Sequence, residues 1–136
     1  MKVFLDASVL FSVARPESLM ARFIARLGLE ASFCSNGYAI EEARRNVEIK
    51  NPAHLEHLVS FCLNLELVNA LLPLPDLIIR DKDRPIMEAA AAARCSHLLT
   101  SDRRDFGPFF GKTIAGVKVM SPQMMAEEIG LKPRRD

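Results

Sequence analysis

The sequence predicts an α/β sandwich with a mainly parallel sheet, and three observations carry that prediction. Short apolar runs of strand character alternate with stretches of helical periodicity. No internal repeat, low-complexity segment or linker interrupts the alternation. Hydrophobic residues make up 49% and charged residues 26% of 136, an ordinary globular composition that suits one domain with one sizeable core. A single domain is therefore expected over residues 1–131, with "KPRRD" at 132–136 as a disordered tail.

"KVFLD" (2–6) reads as a short buried strand, and the apolar, helix-like "ASVLFSVA" follows at once. Leu19, Met20, Phe23, Ile24 and Leu27 recur at helical spacing over 17–28, with Gly28 as a C-cap. "ASFCS" (31–35) is a second strand. "GYAIEEARRNVEIK" (37–50) is a helix that Asn51-Pro52 breaks, and residues 53–65 form another. "LELVNALL" (65–72) carries no decisive pattern, and "DLIIRDKD" (76–83) is extended and then turn-like. The clearest helix is "PIMEAAAAARC" (85–95), with proline in its first turn and a block of alanines. "HLLTS" (97–101) and "VKVMS" (117–121) are strands, and Pro122 opens a last helix over 123–130.

Charge is balanced, 18 basic against 17 acidic residues, so no global field announces a nucleic-acid binder. Arg44-Arg45 and Arg103-Arg104 concentrate charge locally. Cys34, Cys62 and Cys95 are odd in number, lack metal-binding spacing and sit among apolar neighbours, which reads as core filling. His54 and His57 in "HLEHL" do not make the HExxH zinc pattern and read as a surface face. No signal peptide or membrane-spanning apolar run is visible, so a reduced cytoplasmic setting is expected.

In open α/β sheets, ligands bind beyond the carboxyl ends of the strands. The first strand ends at Asp6, and "HLLTS" ends at Asp102. Asp83 precedes the alanine-rich helix, where on its own it reads as an N-cap, with Asp81 as its competitor. In the pair Glu41-Glu42, Glu42 lies closer to the buried stripe of Ala39, Ile40, Ala43 and Val47, and periodicity leans to it without settling the choice. Asp102 and Asp105 alone would read as turn or helix caps, and Thr100 and Ser101 as turn hydroxyls. Four carboxylates at one edge repel each other unless a cation joins them. Oxygen-only ligands favour Mg²⁺ or Mn²⁺, ions that activate water and hold phosphate oxygens.

These residues, in this order, resemble the PIN domain family of metal-dependent ribonucleases, which includes toxins of the VapBC toxin–antitoxin type. The matching pieces are "VFLDASVLFS", "AIEEARRNV", "DRPIMEAAAAARCSHLLTSDRRDF" and "VKVMSPQMMAEE", of which the third is the most specific. The resemblance implies a three-layer α/β/α sandwich and cleavage of RNA with Mg²⁺ or Mn²⁺ to 5′-phosphate and 3′-hydroxyl ends. It places Asp6, Glu42, Asp83 and Asp102 on the acidic positions, with Asp105 a weaker addition to the metal ligands. Ser8 and Thr100 fall on supporting polar positions, and Arg103, Arg104 and Arg84 become candidates for RNA phosphate contacts. For Arg84 alone, a solvent-facing place in the first helical turn is the simpler reading. A toxin of this type would have a cognate antitoxin protein as partner, and PIN proteins commonly form homodimers.

Two other classes compete. A haloacid dehalogenase-type phosphatase needs a second Asp two residues after the first, where this chain has Ser8. A receiver domain needs a late lysine after a strand and an early acidic pair, and neither is in place. The remaining alternative is a non-catalytic PIN fold that binds RNA or a protein partner.

Overall fold

The computed structural model describes residues 1–131; the tail expected at 132–136 lies outside the described residues. The chain enters through β1 (Lys2–Leu5), whose Val3, Phe4 and Leu5 are wholly buried. Asp6 ends the strand in extended geometry, and its carboxylate accepts the Ala7 N–H, which makes it the N-cap of α1 (Ala7–Val13). Ser18 caps α2 (Leu19–Leu27) in the same way, and Gly28 closes it without leaving the right-handed region.

β2 (Ser32–Ser35) leads through the cap Asn36 into α3 (Gly37–Lys50), residue for residue the helix expected from the sequence. The Asn51-Pro52 break becomes one 3₁₀ turn (Pro52–His54), so α4 (Leu55–Cys62) is shorter than the periodicity suggested. β3 (Glu66–Leu67) is brief. Residues 68–83 form no regular element before α5 (Arg84–Ala92) and β4 (His97–Leu99). β5 (Thr113–Ile114), unforeseen in the sequence, turns back onto β6 (Val117–Met120), and α6 (Pro122–Glu128) follows.

The six strands form one sheet in the order β3-β2-β1-β4-β6-β5, parallel except for the antiparallel edge pair β5-β6. The expected three-layer α/β/α class is the one observed. Phe4, Leu5, Leu10, Leu27, Leu58, Met87, Leu98, Leu99, Phe106 and Met125 fill the core. Cys34 and Cys95 are buried within it, as expected of core fillers. Among the described residues, no helix is long and apolar enough to cross a membrane.

The strand order fixes where a ligand can sit. From β1 the chain moves to β2 on one side and later to β4 on the other, so the order reverses between β1 and β4. A crevice opens at the carboxyl end of such a pair. Leu5 is paired with Leu99, which sets Asp6 beside Thr100 one residue further on.

Arg84 corrects the sequence reading. It is half-buried rather than simply solvent-facing, and its guanidinium is engaged by the main chain. Its guanidinium donates to the Leu74 and Leu77 carbonyls, each at 2.7 Å, with Glu88 at 3.7 Å. Glu88 in turn accepts the Leu74 N–H at 2.9 Å. These bonds fasten the irregular 68–83 segment to α5 in place of a backbone ladder.

Candidate metal centre

Asp6 is buried at the bottom of the crevice. One carboxylate oxygen accepts the Ala7 N–H at 2.8 Å; the other accepts the Thr100 hydroxyl at 2.6 Å and the Ser8 hydroxyl at 3.1 Å. Burial pushes its carboxyl up, and these three donors hold it down. Thr100 Oγ1 also accepts the Asp102 N–H, and Ser8 Oγ accepts the Ser101 N–H, both at 3.1 Å. Ser8 and Thr100 therefore tie the turn after β4 to the start of α1, more than the local turn role read for Thr100 alone.

Asp83 occupies the N-cap position of α5, but its side chain makes no capping bond. It is only 7% exposed, and its Oδ2 has no hydrogen-bond partner among the described residues. Such a group is costly to bury. Burial, then the charge of Asp105, pushes its carboxyl up to about 6. Asp81, the competitor, is exposed.

Carboxylate oxygens of Asp83, Asp102 and Asp105 all lie within 4.8 Å of one another. Asp105 is the most compensated of the three. Arg80 at 2.9 Å and Lys82 at 3.0 Å bond its carboxylate, whose side chain is 4% exposed. The Lys82 bond leads in holding its carboxyl down at about 2. The sequence reading missed both cations because they belong to the patternless segment before α5.

α3 settles the choice between its two glutamates. Glu41 is exposed and paired with Arg44 on the solvent face. Glu42 enters the crevice, where burial and then the Asp6 charge raise its carboxyl. Asn36 helps to place this helix, since its side-chain amide donates to the Pro85 carbonyl of α5 at 3.3 Å. Asp6, Glu42, Asp83 and Asp102 thus line one pocket of about 280 Å³. Arg103 and Arg104 are exposed beyond Asp102 and do not line it.

The donor set fits a hard divalent cation: oxygen atoms only, clustered, with one buried carboxylate oxygen lacking any other partner. The tight grouping differs from the expected one. Asp105 joins Asp83 and Asp102 in it, while Asp6 stands in the same pocket with its oxygens already bonded.

Solved structures share this architecture. VapBC2 from Rickettsia felis, bound to a DNA fragment from its promoter, superposes with a TM-score of 0.62 at 16% identity, covering 89% of this chain and 98% of that one. The chain has the PIN fold. Mycobacterium tuberculosis VapC20, a sarcin-ricin loop cleaving toxin, superposes with a TM-score of 0.54 at 10% identity, covering 75% and 91%. No protein-family model and no curated protein matches the sequence. At these identities the likeness is one of fold.

Proposed function

We propose that this PIN-fold protein is a Mg²⁺- or Mn²⁺-dependent ribonuclease, acting as the toxin of a toxin–antitoxin pair. The observation that carries the reading is Asp83, a buried carboxylate with an unpartnered oxygen, set against Asp102 and Asp105 at the carboxyl edge of the sheet. Asp83 and Asp102 would hold the ion, with Asp105 completing the cluster under the restraint of Arg80 and Lys82. When bound, the ion neutralises phosphodiester charge and makes water acidic enough to attack.

The chain's own groups do the rest. Asp6 is held in one orientation by Thr100, Ser8 and Ala7, and presents its charge at the floor of the pocket. Glu42 has a raised carboxyl and faces the same space, which suits a group that accepts a proton from the attacking water. Attack at phosphorus with departure of the 3′-oxygen leaves a 5′-phosphate and a 3′-hydroxyl. Arg103 and Arg104, exposed beside Asp102, are placed to meet flanking phosphates.

The toxin role is supported by the fold shared with VapBC2 and VapC20, and it brings a cognate antitoxin and a homodimer as proposed partners. The experiment is cleavage of a varied RNA panel by purified protein with Mn²⁺, compared with Asp6→Asn and Asp102→Asn. Cleavage by wild type alone supports the enzyme. An intact panel points instead to a PIN-fold binding module.

A further inference from the structure

The acidic pocket does not end at its carboxylates. Its far wall is built by two helical rows that face each other across the contact between α1 and α3. On α3, Glu42, Asn46 and Lys50 recur every fourth residue, one row away from the buried Ala39, Ala43 and Val47. On α1, Ser8, Phe11 and Ser12 line the same space.

A second cavity of about 230 Å³ shares Phe11 and Ser12 with the first and continues to Arg15, Asn51 and His54. Together the two make one groove that starts at carboxylates, passes an aromatic ring and an amide, and finishes among cationic and neutral polar groups. From Glu42 to Lys50 the helical rise spans about 12 Å, longer than one nucleotide.

Phe11 is half-buried against the core, so its ring is held by packing while it also lines both cavities. Lys50 is exposed, with its ammonium over the Phe11 ring, 5.5 Å from the centroid. Single-stranded nucleic acids use such pairs of aromatic ring and cation: an incoming base takes the ring face as the long Lys50 side chain swings aside to a phosphate. Asn46, four residues before Lys50 on the same helical row, lines the same pocket with a donor and an acceptor, the complement to a base edge. A duplex offers no free base face to Phe11.

We infer that the α1/α3 groove is a single-stranded RNA subsite: Phe11 stacks a base next to the scissile phosphate, Asn46 reads its edge and Lys50 holds the next phosphate. This rests on the ribonuclease reading and adds the residues that select the substrate. It also accounts for a net charge of only +1 in an RNA-binding chain, because the cation is placed along one groove and not spread over the surface.

The test measures binding separately from cleavage. Phosphorothioate RNA hexamers of each single base are titrated into the full chain at several salt concentrations, with thermal melts as the check on folding. Phe11→Leu keeps an apolar group of similar bulk, and Lys50→Ala alters an exposed residue. Phe11→Leu is expected to weaken hexamer binding by about tenfold without changing its salt dependence. Lys50→Ala is expected to reduce the slope of log K against log salt by about 0.7, one single-strand phosphate contact. Asn46→Ala is expected to level the preference among the four hexamers.

Wild-type affinity and slope in both Phe11→Leu and Lys50→Ala overturn the inference, even if wild type cleaves RNA, and leave the groove to a protein segment. The expected changes in binding, with no cleavage of any RNA by wild type, support the groove and sink the ribonuclease reading instead.

Discussion

Thr100 Oγ1 donates a 2.6 Å hydrogen bond to Asp6 Oδ2, joining the ends of β4 and β1 across the point where the strand order reverses. Thr100 is fully buried, and the same oxygen accepts the Asp102 N–H. One hydroxyl therefore orients two of the acidic residues. Thr100→Val keeps the shape and removes both bonds. The loss of a bond to a charged group predicts about 1.5–3 kcal/mol of destabilisation in urea unfolding at neutral pH. It also removes the strongest influence holding the Asp6 carboxyl down, so its pKa should rise further. A change within about 0.5 kcal/mol, the size of a neutral surface substitution, would show that this bond positions nothing.

Asp83 makes the metal-free chain pH-sensitive in an unusual direction. Its carboxyl titrates near 6 when folded, against 3.8 ordinarily, so the folded state holds the proton more tightly than the unfolded chain does. The resulting stabilisation is complete below the unfolded value and is lost as pH rises through about 6. Two units of difference correspond to about 3 kcal/mol. Asp105 titrates near 2, so its opposite contribution disappears only in stronger acid, outside this window. Without metal, wild type should therefore lose this stabilisation between about pH 4 and pH 6.5, and Asp83→Asn should lose less and exceed wild type at the upper end. Mn²⁺ should raise the melting temperature of wild type and leave Asp83→Asn unmoved. Equal pH profiles for the two chains would contradict the assignment.

Much of the pocket was legible because strand ends carry positional information. An apolar run that stops at Asp6 and another that stops short of Asp102 point to one sheet edge before any contact is known. Helical periodicity went further, favouring Glu42 over Glu41 and giving the limits of α3 without error. It failed where no period exists. Residues 68–83 hold their shape through side chains from α5, so neither the anchoring role of Arg84 nor the grip of Arg80 and Lys82 on Asp105 leaves a local signature. β5 has two residues and is defined by its partner alone. Asn46 and its neighbour row on α1 leave no local signature either, since a groove depends on which helices meet.

Arg84 separates an anchoring from a substrate-contact role cleanly. Its guanidinium satisfies two carbonyls that have no ladder to join. Arg84→Ala is predicted to cost about 1.5–3 kcal/mol, the range for hydrogen bonds made by a charged group. It should also speed proteolysis within 68–83. The salt dependence of RNA binding should stay at the wild-type slope, since no phosphate contact is lost. A reduced slope with unchanged stability would restore the substrate-contact reading.

The two neighbouring glutamates of α3 should behave as opposites. Glu41 is exposed and already paired with Arg44, so Glu41→Gln is expected to leave RNA cleavage unchanged and stability within about 0.5 kcal/mol. Glu42 is half-buried, and both burial and the Asp6 charge disfavour its ionised form. Glu42→Gln relieves that cost, so the metal-free chain should melt at a higher temperature at neutral pH. The same change removes the proposed proton acceptor and should lower the cleavage rate by about a hundredfold or more. A gain in stability coupled to a loss of activity is the mark of a group kept for chemistry at the expense of the fold. If Glu42→Gln instead melts lower and cleaves normally, Glu42 is a structural residue and the proton acceptor must be sought elsewhere in the pocket.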